Sequence, residues 1–301
     1  MNTLKRITSV ERLISQVKKD YKEWNTTTYP WFRGERLDTD FPLLPRLYRQ
    51  EPNKNPKYDE LALLQQFRAK APSLGSSEIP PRGNTDEWLF LAQHSGLPTR
   101  LLDWTEGLLV ALHFALLEKQ PVIWMLDPVE LNRRSLKEED RSAVADNVFP
   151  LTWFSPNTAP IAANDLIDAT NYLVDSLQTM YETQGQKKSY YQNRLPLNLG
   201  AENIRAVWEQ DSRRGTTLPM AIRPTYIHRR MNVQRSCFTI QGKRQESLSG
   251  MVDDRVLRKY VIQPSKVQSM RSDLRTIGIT NATVFPDLDN LAKDLAELFE
   301  D

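Results

Sequence analysis

Two segments gather side chains able to handle an anion. In Trp31-Phe32-Arg33-Gly34 an arginine follows two aromatics and precedes a glycine. A guanidinium is a planar fork that grips phosphate through paired hydrogen bonds, and a glycine lets a ligand approach the backbone. The same residues equally suit an arginine paired with a buried carboxylate and a glycine that merely turns the chain. The second segment runs from Gln93 to Thr105 (QHSGLPTRLLDWT) and concentrates donors, acceptors, an imidazole and an indole ahead of an apolar stretch. Thr105 stands where a helix N-cap belongs, its hydroxyl available to an orphan N–H. Asp103 either pairs with Arg100 in a capping loop or faces a ligand beside a helix N-terminus, a place that favours anions. His94 is a candidate general acid or base near neutral pH, or only a hydrogen-bonding residue. Cys237 lies in an apolar strand pattern and reads as a small core residue.

Other chemistries lose weight. The chain has no GxxxxGK[ST] phosphate loop, no GxGxxG after a strand, no HExxH and no GxSxG. One cysteine and three histidines (His94, His113, His228), widely separated, exclude an internal disulfide and argue against a structural metal site. Lys plus Arg is 40 and Asp plus Glu is 38 in 301 residues. That near balance excludes a globally cationic polyanion binder while leaving room for a local basic patch. Hydrophobic residues at 40% suffice for a core. No apolar run reaches the roughly 18 residues that span a bilayer, and residues 1–20 lack a signal-peptide core. A cytoplasmic location without membrane partners is the expectation.

The elements that must position these residues are legible in part. Apolar residues at Val10, Leu13, Ile14, Val17, Tyr21 and Trp24 predict a helix. Residues 29–33 predict a short strand ending at Gly34, and 38–55 a proline-rich loop carrying Arg46 and Arg49. Helices are expected over 58–71 and 86–94, the latter capped by Thr85, with a turn-rich segment over 96–105. Residues 106–118 are apolar on nearly every side, which predicts a helix central to the core, with Trp104 packed near its start. Strands follow at 121–126, 218–222, 236–241 and 256–262, and helices at 266–277 and 288–299. The whole reads as one mixed α/β (α+β) domain, residues 1–301. Its core segments are 29–126 and 218–297, with a helical insertion over 127–203; two lobes split near residue 128 are the alternative.

The two segments together resemble the FRG domain, a bacterial family named for an (F/Y)RG motif. Phe32-Arg33-Gly34 fits that motif. Gln93 through Thr105, continuing as Val110-Ala111-Leu112 and Phe114-Ala115, resembles the second block of the family, and Arg230, Gln234 and Phe238-Thr239 its third. Leu274 to Ile279 and Phe285-Pro286-Asp287-Leu288 resemble its closing segment, so the likeness spans about 29–297. A remoter resemblance is to ADP-ribosyltransferases of the Arg-Ser-Glu type, whose arginine grips NAD phosphate on an aromatic-Arg-Gly strand. It implies a mixed-sheet core binding NAD or a related nucleotide. Phe32, Arg33, Gly34, Arg100 and Thr105 would then bind the nucleotide, and Arg33, His94, Asp103 and Gln234 would form the reactive set, without a metal.

This sequence departs from that pattern. Asp103-Trp104-Thr105 replaces Ser-Thr-Ser, and Gln234 stands in the place of Glu, with Glu246 a spare carboxylate nearby. A neutral amide places no negative charge beside a developing oxocarbenium ion, so nucleotide binding is favoured over efficient transfer. The resemblance implies a toxin or phage-defence effector with a protein or nucleic-acid acceptor. Two other readings stand beside it. One is a nucleic-acid-directed effector or nuclease using Arg46, Arg49, Arg133, Arg134, Arg213, Arg214, Arg229 and Arg230. The other is a non-catalytic sensing module.

Overall fold

The computed structural model describes residues 6–24, 29–37, 42–49, 58–74, 79–81, 85–138, 218–224, 226, 229–242 and 244–299. The elements run β1 (Arg6–Ile7), α1 (Val10–Trp24), β2 (Trp31–Arg36), α2 (Glu60–Lys70), α3 (Thr85–His94), β3 (Leu101–Thr105), α4 (Leu108–Leu116), β4 (Pro121–Leu126) and α5 (Pro128–Glu138). Then come β5 (Met220–Ile222), α6 (Arg229–Val233), β6 (Ser236–Ile240), α7 (Leu248–Met251), β7 (Leu257–Ile262), α8 (Val267–Thr276), α9 (Asn281–Val284) and α10 (Leu288–Leu298). Strands of the first and last thirds interleave in one sheet of order β1-β7-β4-β2-β3-β6-β5. Its pairings are antiparallel except β1 with β7. The fold is therefore mixed α/β. Of the expected insertion over 127–203, Asp127 and α5 are described; residues 139–203 lie outside the described residues. α5 is docked on the core through Val129 and Leu131, with Asn132 bonding both backbone groups of Ala221.

Strand alternation assigns the two faces. On one face Phe32, Ile123, Met125, Tyr260 and Ile262 meet α1, α4 and α8. Further along that face Leu101, Met220, Ile222, Phe238 and Ile240 meet α2, α3 and α6 through Leu64, Trp88, Phe90 and Met231. The opposite face carries one continuous core. Trp31, Leu102, Trp104, Val122, Trp124, Leu126, Ala221 and Cys237 pack there with Leu43, Val129, Leu131 and Leu248. A buried polar staple fastens α1 to the sheet, where Asp20 accepts from the Tyr260 hydroxyl at 2.8 Å and pairs with Arg258 at 2.8 Å.

The centre of the chain differs from the sequence expectation in five ways. Strand β2 runs through Gly34 to Arg36 instead of ending there. A Cβ at Gly34 would stand 2.2 Å from the Ala111 carbonyl oxygen and 2.4 Å from the Ala115 nitrogen. The missing side chain thus lets α4 lie directly on β2, a tertiary reason that no local turn rule contains. Residues 101–105 form a strand instead of a loop. Its alternation is masked by Asp103, which is exposed among buried neighbours. Thr105 is not the N-cap of α4; Gly107 is, and the Thr105 hydroxyl accepts from the Gly107 N–H at 2.9 Å. Finally, α4 has no exposed residue but is fully buried along only part of its surface. Ala111, Leu112, Ala115 and Leu116 are inside, whereas Phe114 is half-buried against the edge of Phe285. Trp104 packs on the face away from α4.

Candidate functional site at the seam between β2 and β3

The two halves of the sheet are joined by little backbone. Between β2 and β3 the ladder consists of the pair Phe32 with Thr105, whereas β2 and β4 share six pairs. Beyond that rung Arg33 crosses the seam. Its Nη1 donates to the backbone carbonyl of Asp103 at 2.8 Å, taking the place of a ladder hydrogen bond. The Asp103 carboxylate lies 3.8 Å from the same nitrogen and the Glu35 carboxylate 3.7 Å from Nε. These are ion pairs without hydrogen bonds. Glu35 is committed elsewhere, accepting from the Leu43 N–H and from the Trp124 indole.

Asp103 is held from its other side by α3. The Gln93 amide donates to Asp103 Oδ2 at 2.9 Å, and the Thr99 hydroxyl donates to Gln93 Oε1 at 2.5 Å. Thr99 is buried, so this relay fixes the rotamer of a carboxylate that is itself 56% exposed.

Two more arginines arrive on the loop 42–49. Arg46 Nη1 donates to the Gly96 carbonyl at 3.0 Å and Arg49 Nε to the Leu44 carbonyl at 2.8 Å. Burial lowers the proton affinity of Arg49, and the charge of Arg33 lowers it further. Glu35 and Asp103 oppose this, and Arg46 adds to it. Arg49 therefore lies in the field of four other charges. Arg230 of α6 joins from the opposite side, stacked 4.4 Å over Phe285 and within the field of Asp103 and Asp287.

One pattern separates Arg33, Arg46 and Arg49 from other arginines of this fold. Arg100, Arg134 and Arg258 hydrogen-bond carboxylates at 2.7–2.9 Å. Arg33, Arg46 and Arg49 are each anchored by a backbone carbonyl instead, and among the described residues none of them hydrogen-bonds a carboxylate. A carbonyl fixes a guanidinium without neutralising it. The seam thus holds oriented positive charge with donors to spare, an arrangement suited to phosphate.

The residues expected at the site separate into two groups. Arg33 and Asp103 converge. His94 ends α3, next to Gln93, and is half-buried. The others serve the fold. Phe32 is 4% exposed beneath α4, and Gly34 makes room for that helix. Arg100 pairs with buried Glu60, which also accepts from the Arg100 N–H, so Asp103 is not its partner. Buried Thr105 donates to the Gln234 carbonyl at 2.6 Å, which commits its hydroxyl. The side-chain amide of Gln234 is turned to α9, where it donates to the Val284 carbonyl at 3.1 Å. Glu246 pairs with exposed Arg244. Gln93, Thr99 and Glu35 were missed as site residues. Their signal lies in contacts between elements, although Gln93 stood inside the segment singled out. Of the basic residues considered for nucleic acid, Arg213 and Arg214 lie outside the described residues, and Arg134 is paired with Glu130 and Asp253.

Among the described residues no helix is long and apolar enough to cross a membrane, and no group of three or more His, Cys, Asp or Glu side chains could hold a metal ion. No curated protein and no solved structure matches the chain. The family comparison does match, over residues 28–122, and that stretch runs from β2 with Arg33 through Gln93, Thr99 and Asp103 to the start of β4. Both sides of the seam thus fall inside the stretch that matches the FRG domain family.

Proposed function

We propose that the seam binds a phosphorylated nucleotide, with NAD the first candidate, and that the protein is a nucleotide-binding effector resembling an ADP-ribosyltransferase. The observation that carries this reading is the set of carbonyl-anchored guanidiniums of Arg33, Arg46 and Arg49. In this reading they receive the pyrophosphate. Asp103, fixed by Gln93, accepts a hydrogen bond from a ribose hydroxyl. Gln234 has no part in the chemistry, because its amide is used by the fold. The carboxylate that would face a cationic ribose in any turnover of NAD is then Asp103. A toxin or antiviral-defence role follows from the family resemblance and belongs to the same proposal.

Calorimetric titration of NAD into the pure protein is the test, run beside Arg49→Gln. Arg49 is held by one backbone hydrogen bond, so this variant keeps the fold. NAD binding weakened about tenfold or more by the substitution, about 1.4 kcal/mol, supports the reading. Absence of NAD binding at millimolar concentration, or equal binding by both proteins, overturns it.

A further inference from the structure

Arg230 differs from the carbonyl-anchored arginines of the seam in resting on a ring. Its guanidinium carbon lies over the face of Phe285, 4.4 Å from the centroid. Phe285 is itself fixed, edge-on to Phe114 at 5.4 Å and with the His113 ring 6.2 Å away. Arg230 and Phe285 are both half-buried. The chain thus supports a planar cation on a braced aromatic ring, a surface on which another ring can stack.

The sheet sets this shelf beside Asp103. Asp103 stands in register with Phe238 of β6, so both lie on the sheet face that α6 covers through Met231. The loop 42–49 is anchored in the core of the opposite face through Leu43. Arg49 and Arg230 both lie in the field of the Asp103 carboxylate. The order is therefore arginine set, Asp103, Arg230, which is the order phosphate, ribose, base in a nucleotide. We infer that Arg230 and Phe285 form the base subsite of the seam, and that the base taken there is the uncharged adenine of an adenosine diphosphate group. Nicotinamide would lay a pyridinium cation against a guanidinium, two like charges in contact. Adenine brings a neutral π-face to the side of the guanidinium that Phe285 leaves. The inference rests on the nucleotide reading and narrows it: NAD is held by its adenosine half, with Asp103 on the adenosine ribose. That orientation retains NAD and does not split it.

Calorimetric titrations of NAD, ADP-ribose and inorganic pyrophosphate into the full chain, and into its Arg230→Lys variant, test this. With the wild type, ADP-ribose should bind within about fivefold of NAD, because the nicotinamide lies outside the subsite. It should also bind at least about fivefold more tightly than pyrophosphate, which has no ring to stack. Arg230→Lys keeps the charge and loses the plane. It should remove most of the advantage of ADP-ribose over pyrophosphate. NAD binding more than about fivefold tighter than ADP-ribose overturns the inference alone, since the ring held would then be nicotinamide. An undiminished advantage of ADP-ribose in a folded Arg230→Lys protein does the same. Binding of neither NAD nor ADP-ribose removes the nucleotide reading along with it. If the variant does not fold, the comparison of the three ligands on the wild type decides by itself.

Discussion

Arg33 and Asp103 meet across the β2–β3 seam: the guanidinium donates to the Asp103 backbone carbonyl at 2.8 Å while the carboxylate of the same residue stays 3.8 Å away. One side chain thereby replaces a rung of the sheet without hydrogen-bonding either of the two carboxylates it pairs with. That division of labour lets a fold role and a binding role be tested separately.

Arg33→Lys retains a cation and a donor for the carbonyl but loses the planar fork. The expected loss of folding stability is about 1 kcal/mol, that of a modest hydrogen-bond change. NAD binding should fall much further, because an ammonium cannot bridge two phosphate oxygens in one plane. Urea melts and calorimetry on the same preparation check both. Unfolding of the variant would make Arg33 a purely structural residue.

Gln234→Glu tests the reassignment of that residue. The amide donates to the Val284 carbonyl in a site 9% exposed. A carboxylate cannot donate there and repels the carbonyl oxygen. We expect a cost of about 2–3 kcal/mol, the penalty for an unmet buried acceptor beside a partly buried charge. NAD turnover should not rise. An unchanged melting curve with raised turnover would place Gln234 in the chemistry after all.

Gly34→Ala should be severe. The new Cβ meets backbone atoms of Ala111 and Ala115, which cannot rotate away. Helix α4 must lift from β2, and overpacking of this kind costs about 3 kcal/mol. Chemical denaturation measures it; a near-neutral result would mean that α4 shifts without loss.

Acid should destabilise the protein through His113. This residue is buried on α4 and, among the described residues, its Nε2 has no hydrogen-bond partner. Burial lowers its pKa, and Arg271 acts in the same direction while Asp294 opposes. The folded state therefore binds fewer protons than the unfolded state as pH falls below the ordinary histidine value of about 6.5. Stability from this group is complete above that pH and declines toward the depressed folded value. His113→Gln should flatten the decline in melting temperature between pH 7 and pH 5, relative to wild type.

Much of the secondary structure was legible because periodicity and capping are local. Helix α1 has the predicted bounds, and Ser9 caps it by accepting from the Arg12 N–H. Asp287 likewise starts α10. The buried strands β4, β6 and β7 stood out as apolar runs. What was not legible depends on partners distant in sequence. Arg33 and Asp103 could be paired by motif. That the loop 42–49 brings Arg46 and Arg49 to them is fixed by carbonyls at Gly96 and Leu44. Gln234 and Arg100 carry polar side chains that look reactive in sequence. The fold spends one on α9 and the other on Glu60.

Cys237 offers a chemical clock. It is the chain's one thiol, and burial pushes its pKa up, so alkylating reagents find neither access nor thiolate in the native state. It also sits in the core that spans both halves of the sheet. The rate at which a maleimide consumes that single sulfur therefore reports how often this shared core opens. Slower labelling in the presence of a ligand would register stabilisation of the sheet without any engineered probe.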